Sequence, residues 1–138
     1  MNVDAGQERN APARAGQFAD PGLLGTLEAT GLDGIDAFGF GLIVMDRDGR
    51  VAGYNQAESA LSGLPVDQVV GRNFFVEVGP CTNNYLIAER FHDSGRSDQE
   101  LDAELDYVFT YRMAPTPVRL RLLAKKGSSR QYLAVELR

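Results

Sequence analysis

Tryptophan is missing from this chain, histidine and cysteine occur once each (His92 and Cys81), and acidic residues outnumber basic ones by 19 to 14. Each scarcity closes a class. One cysteine cannot make an intramolecular disulfide. The N-terminus MNVDAGQERN has no basic segment followed by an apolar one, so a reducing, cytoplasmic setting is expected. One Cys and one His cannot assemble a metal cluster at ligand spacing. A net charge of -5, with Lys125-Lys126 the only adjacent lysines, argues against nucleic acid or an anionic membrane surface, both of which demand clustered cations. The longest nearly unbroken apolar run, Phe38 to Met45, is interrupted by Gly39 and Gly41 and is far short of the roughly 20 residues that span a bilayer. What is present, 138 residues of which 43% are hydrophobic, suits one compact domain.

Residues 1–20 are rich in Ala, Gly, Asn, Gln and Pro without apolar periodicity and are expected to form a disordered tail. Leu23, Leu24, Leu27 and Leu32 recur at helical spacing, with Gly31 and Gly34 punctuating the end, predicting one short helix within an N-terminal cap over 21–37. From residue 38 onward a core domain is expected. GLIVM, then DRDG, then RVAGY read as a hairpin. GFGLIV is no dinucleotide fingerprint, because its glycines precede a strand, and DRDG lacks the ligands of a calcium loop. Asn55 sits where a helix cap belongs, with Glu58 three residues on and Gly63 as the stop. Pro65 to Val70 predicts another turn with Pro at its first position. A longer helix is expected over Leu86, Ile87 and Phe91, ending near Ser94-Gly95. Alternation from Leu101 to Met113 predicts a strand, Pro115 and Pro117 a turn, and two more strands follow, with Arg119 and Arg121 opposite the apolar face. Two strands, short helices, one longer helix and three strands predict an α+β domain, an antiparallel sheet with helices on one face.

Tyr54, Glu58 and Ser62, spaced by four, can line one side of a short helix and its entry, a row of hydroxyl donors suited to a buried anion if Glu58 is protonated. The same Glu58 also completes an Asn-x-x-Glu capping box, in which it would be ionised and exposed. The residues alone leave both roles open. A free cysteine is more often a small core residue than a nucleophile, but the placement of Cys81 on a loop leans the other way; a Cys/His hydrolase pairing with His92 rests on residue identity only.

The segments YNQAESALSG, VVGRNFFVEVGPCT and YVFTYRMAPTPV together resemble the photoactive yellow protein family, a light-sensing branch of the PAS fold, over about Phe38 to the C-terminus. The resemblance implies a five-stranded antiparallel PAS-like sheet with connecting helices on one face and an N-terminal helical cap. It implies p-coumaric acid (4-hydroxycinnamic acid) held as a thioester on Cys81, with Tyr54 and Glu58 bonding its phenolate oxygen and Ser62 supporting Tyr54. Phe74, Phe75, Phe109 and Met113 match positions near that pocket, and Tyr111 one near its exit. Leu64 departs from the family, standing where an arginine shields the chromophore. The loop between Phe91 and Phe109 is one residue longer, and the first 30 or so residues show no match.

The expected function is that of a soluble, non-enzymatic blue-light receptor in sensory transduction, in which photoisomerisation, proton transfer from Glu58 to the phenolate and partial unfolding form the signal. No output domain is expected within these residues, so an unidentified downstream signalling protein is expected to receive it, with no nucleic acid, membrane or metal involved. The alternative is a chromophore-free PAS interaction module with an inert Cys81.

Overall fold

A computed structural model describes residues 16–110 and 114–138. Five strands, β1 (Gly41–Asp46), β2 (Val51–Tyr54), β3 (Leu101–Phe109), β4 (Thr116–Ala124) and β5 (Arg130–Leu137), form one antiparallel sheet in the order β2-β1-β5-β4-β3. The β1–β2 hairpin closes as its turn residues demand. Asp46 Oδ1 accepts from the amides of Asp48 (2.9 Å) and Arg50 (3.0 Å), and Gly49 takes a φ of 92°, open to glycine without strain. The last strand lies beside the first, pairing Gly41 with Val135 through Asp46 with Arg130, so the sheet is complete only when segments about ninety residues apart in the chain meet.

The helices are α1 (Leu23–Ala29), α2 (Gln56–Ser62), α3 (Val66–Val69) and α4 (Ala88–Ser97), with a 3₁₀ segment at Leu32–Ala37. Pro65 caps α3 from outside, one place earlier than the sequence suggests. NFFVEV forms a π-helical turn (Phe74–Val78) that no periodicity announced, opened by the Asn73 side chain accepting from the amides of Phe75 and Val76. Among the described residues no helix is long and apolar enough to cross a membrane.

Both faces of the sheet are covered. Ile43, Met45, Val118, Leu120, Leu122, Leu133 and Val135 pack against the connecting layer with Phe74, Phe75, Ile87 and Phe91. Their neighbours Leu42, Val44, Leu123, Tyr132 and Ala134 pack on the opposite face against Phe18, Leu23, Leu24 and Leu27 of the cap. Two-sided burial is why β1 reads as an unbroken apolar run.

The cap begins earlier than 21. Residues 1–15 lie outside the described part, but Phe18 is 4% exposed and meets Phe40 edge to face at 5.8 Å. Arg121 holds this segment down. Its Nη1 donates to the carbonyls of Phe18 (2.9 Å) and Asp20 (2.6 Å), while Nε and Nη2 fork onto Asp102 at 2.9 Å each. Alternation placed Arg121 correctly away from the helical face, yet it is buried, because the cap covers it. The bond to Asp102 raises its pKa above the ordinary arginine value. The strand expected over 101–113 ends at Phe109, and residues 111–113 are outside the described part. Pro117, expected in the turn, is the second residue of β4.

Candidate functional site

The site is built at the junction of β2 and α2. Asn55, 1% exposed, stops the strand and starts the helix. Its Oδ1 accepts from the amides of Glu58 (3.0 Å) and Leu42 (2.9 Å), and its Nδ2 donates to the carbonyls of Ile35 and Phe40 (3.0 Å each). At the other end Gly63 adopts a φ of 75°, and its amide returns to the Ser59 carbonyl.

This geometry separates capping from burial for Glu58. A capping box would place its carboxylate on the Asn55 amide, but that amide donates instead to the Leu42 carbonyl of β1 at 3.1 Å. Glu58 is turned inward, 1% exposed, with its carboxyl lying over Gly41 so closely that a Cβ there would collide with it. Tyr54 Oη donates to Ser62 Oγ at 2.7 Å and lies 3.5 Å from Glu58 Oε2, so the short bond within the trio is the one between the two hydroxyls. Ser62 Oγ also accepts from the Leu64 amide at 3.1 Å, the local backbone bond usual for a helix-end serine. Three oxygen-bearing side chains thus converge in an apolar interior.

Around them, Phe74 is fully buried, its ring filling the space a Cβ at Gly79 would need, and Phe109 is buried edge to face with Tyr107 at 6.2 Å. Half-buried Leu64 lines an open groove of about 740 Å³ together with Leu61, Ser62, Arg72, Val78 and Thr116. A cavity of about 10 Å³ beside Glu58 and Phe109 shares Leu61, Ser62 and Thr116 with that groove. Met113 and Tyr111 lie outside the described residues. Cys81 is half-buried on the 3₁₀ turn Pro80–Thr82, unbridged, and packs on the same core cluster as Tyr54, Phe74 and Phe109. His92 is exposed on α4 and lines a different groove with Arg47, Asp93 and Arg96. Among the described residues no group of acidic, His or Cys side chains could hold a metal ion.

Two residues beside Cys81 escaped sequence reading. Tyr107 Oη donates to the Cys81 carbonyl at 2.5 Å, and Asn84 Nδ2 donates to both Tyr107 Oη (2.7 Å) and the same carbonyl (3.1 Å). Alternation marks Tyr107 only as an inward strand residue.

The sheet order and the two-sided core define the class, and comparison agrees: the PAS fold family matches residues 33–131, so the chain is a PAS-fold protein. Solved PAS domains of the quorum-sensing receptor RpfR from Cronobacter turicensis (TM-score 0.54, 14% identity, 72% of this chain and 93% of that one) and of BvgS from Bordetella pertussis (TM-score 0.58, 19% identity, 83% and 87%) share the fold alone. More specific is the likeness to photoactive yellow protein of Rhodothalassium salexigens, 39% identical over 88 residues, 64% of this chain and 70% of that one. The photoactive yellow protein domain of the sensor histidine kinase Ppr from Rhodospirillum centenum superposes with a TM-score of 0.73 at 39% identity, covering 83% of this chain and 99% of that one. The chain belongs to the photoactive yellow protein family.

Proposed function

We propose that this chain is a blue-light photoreceptor carrying p-coumaric acid as a thioester on Cys81, the phenolate oxygen facing Tyr54 and Glu58. One observation carries the reading: Glu58 is buried beside a hydroxyl pair while the amide it would cap is already engaged by Leu42. A carboxyl in that position has little structural use as an anion and favours its neutral, donating form through desolvation. The residues fit the group. The oxygen cluster is placed for a buried phenolate, the glycine at Gly41 makes room for Glu58, and the groove beside Ser62 and Val78 offers the space that the water-sized cavity next to Glu58 lacks.

When bound, the group supplies visible absorption and a light-driven double-bond isomerisation. The chain's own residues do the rest. Loading needs an activated p-coumarate: the Cys81 sulfur bonds to the acyl carbon, the activating group departs with its electron pair, and the thiol proton passes to solvent. With the group bound, Ser62 would turn its hydroxyl proton to Tyr54 Oη while still accepting from the Leu64 amide. Tyr54 and Glu58 would then donate toward the phenolate in a low-dielectric interior, where such bonds are strongest. Glu58 would give its proton to the phenolate oxygen, leaving a neutral phenol and a buried carboxylate, a desolvation penalty on the order of several kcal/mol. That strain bears on β1 through Gly41 and on the cap through Asn55, which holds Ile35 and Phe40. Loosening of the cap is the proposed signal, read by a separate downstream protein; the photocycle consumes no substrate.

Incubation with an activated p-coumaric ester tests this. A yellow product whose mass rises by one coumaroyl group, abolished by Cys81→Ala, is expected. A colourless, unmodified protein would leave the chromophore-free interaction module in its place.

A further inference from the structure

We propose that Tyr107, with Asn84 beside it, is the positioning residue of the Cys81 anchor. The photochemical half of this inference rests on the light-receptor reading; the positioning itself does not. The Cys81 carbonyl has two lone pairs and receives two donors, Tyr107 Oη and Asn84 Nδ2. Asn84 spends its second Nδ2 hydrogen on Tyr107 Oη and uses Oδ1 to accept from the Leu86 amide at 2.9 Å. Its own carbonyl accepts from the Glu89 amide at 3.1 Å, at the entry to α4. The peptide plane after Cys81 is therefore held from the edge strand β3 on one side and from α4 on the other. On its N-terminal side the turn is closed by Thr82, whose Oγ1 donates to the Gly79 carbonyl at 2.6 Å and whose amide donates to it at 2.9 Å.

Two donors on that carbonyl restrain ψ at Cys81 and so hold the backbone frame from which the Cβ–Sγ arm projects. They touch only the anchor end of the site. The oxygen end is organised by a separate set of bonds at the junction of β2 and α2, those of Tyr54, Ser62 and Asn55. A change at Tyr107 should therefore alter the mechanical response of the anchor while leaving the colour-setting end intact. Tyr107→Phe removes one oxygen and keeps the ring packed against Phe109.

The first measurement needs no chromophore. Cys81 in the full chain is titrated with 5,5′-dithiobis(2-nitrobenzoate), and its modification rate compared between the parent, Tyr107→Phe, Asn84→Ala and Tyr132→Phe. The last also deletes a bonded hydroxyl, but on the cap face. Tyr107→Phe and Asn84→Ala should each raise the rate about threefold or more, the scale of one lost hydrogen bond, while Tyr132→Phe does not. Equal rates in parent and Tyr107→Phe, or an equal rise in Tyr132→Phe, would overturn the positioning role. In protein loaded with p-coumaric acid, Tyr107→Phe should leave the band within a few nanometres and change dark recovery severalfold; unchanged recovery, or a band shift as large as that of Glu58→Gln, would overturn the photochemical half. If nothing attaches to Cys81, the light-receptor reading fails while the thiol rates still decide positioning.

Discussion

Gly41 lies directly beneath the Glu58 carboxyl group: a Cβ at position 41 would overlap the carboxyl and stand 3.3 Å from the Glu58 Cα. The first residue of β1 and the buried acid of α2 are thus fitted to each other. Gly41→Ala should lower unfolding free energy by about 1–3 kcal/mol through overpacking. In chromophore-loaded protein it should also move the visible band, because the carboxyl must shift. An unchanged urea midpoint together with an unmoved band would contradict the fit.

Glu58→Gln should move the band of loaded protein to longer wavelength. An amide donates a weaker hydrogen bond than a carboxylic acid and localises phenolate charge less well. An absorption spectrum identical to the parent's would show that Glu58 does not touch the chromophore.

Asn55→Ala removes four buried hydrogen bonds at once, two accepted and two donated, and leaves the Leu42 and Glu58 amides and the Ile35 and Phe40 carbonyls without that partner. A loss of about 3 kcal/mol or more is expected in urea unfolding. Asn55→Asp keeps the acceptor and should restore only part of it. Full stability in the alanine variant would mean that the cap and α2 are held together by packing alone.

Tyr132 carries the pH dependence. Burial first, and then its 2.6 Å bond to the Glu28 carboxylate, push its phenol well above the ordinary value near 10. Its folded pKa exceeds its unfolded one, so its contribution to stability is fully present below about pH 10 and is lost as pH rises from there toward the folded value. Melting temperature should fall above that pH, and less steeply in Tyr132→Phe. Equal alkaline slopes in the two proteins would remove Tyr132 as the cause.

Arg121→Met should release the segment around Phe18. Two carbonyl contacts and a fork to Asp102 disappear, while the methionine can still fill space, so a loss of about 2–3 kcal/mol in cap docking is expected. Amide exchange over residues 16–30 reads it directly. Unaltered protection there would assign the cap's attachment to Phe18 and the leucines of α1.

Alternation along β4 and β5, the Asn55 cap, the Gly63 stop and the turn residues at 46–49 were legible because each depends on neighbours within a few positions. The π-helical turn at Phe74–Val78 was not, since it requires a backbone bond pattern with no side-chain period of its own. Arg121 and Phe18 were misread for the opposite reason. Arg121 bonds the Phe18 carbonyl across more than a hundred residues of chain, and the Phe18 ring packs on Phe40, so neither burial is set by near neighbours in sequence.

The sequence by itself determined the strand order along the chain, the family, and a row of oxygens at Tyr54, Glu58 and Ser62 spaced to face one way. It did not determine whether Glu58 caps a helix or lies buried, because Asn-x-x-Glu satisfies both. Tertiary structure decided that: β1 brings the Leu42 carbonyl to the Asn55 amide and Gly41 under the carboxyl, so the capping donor is already taken and the interior has room for Glu58.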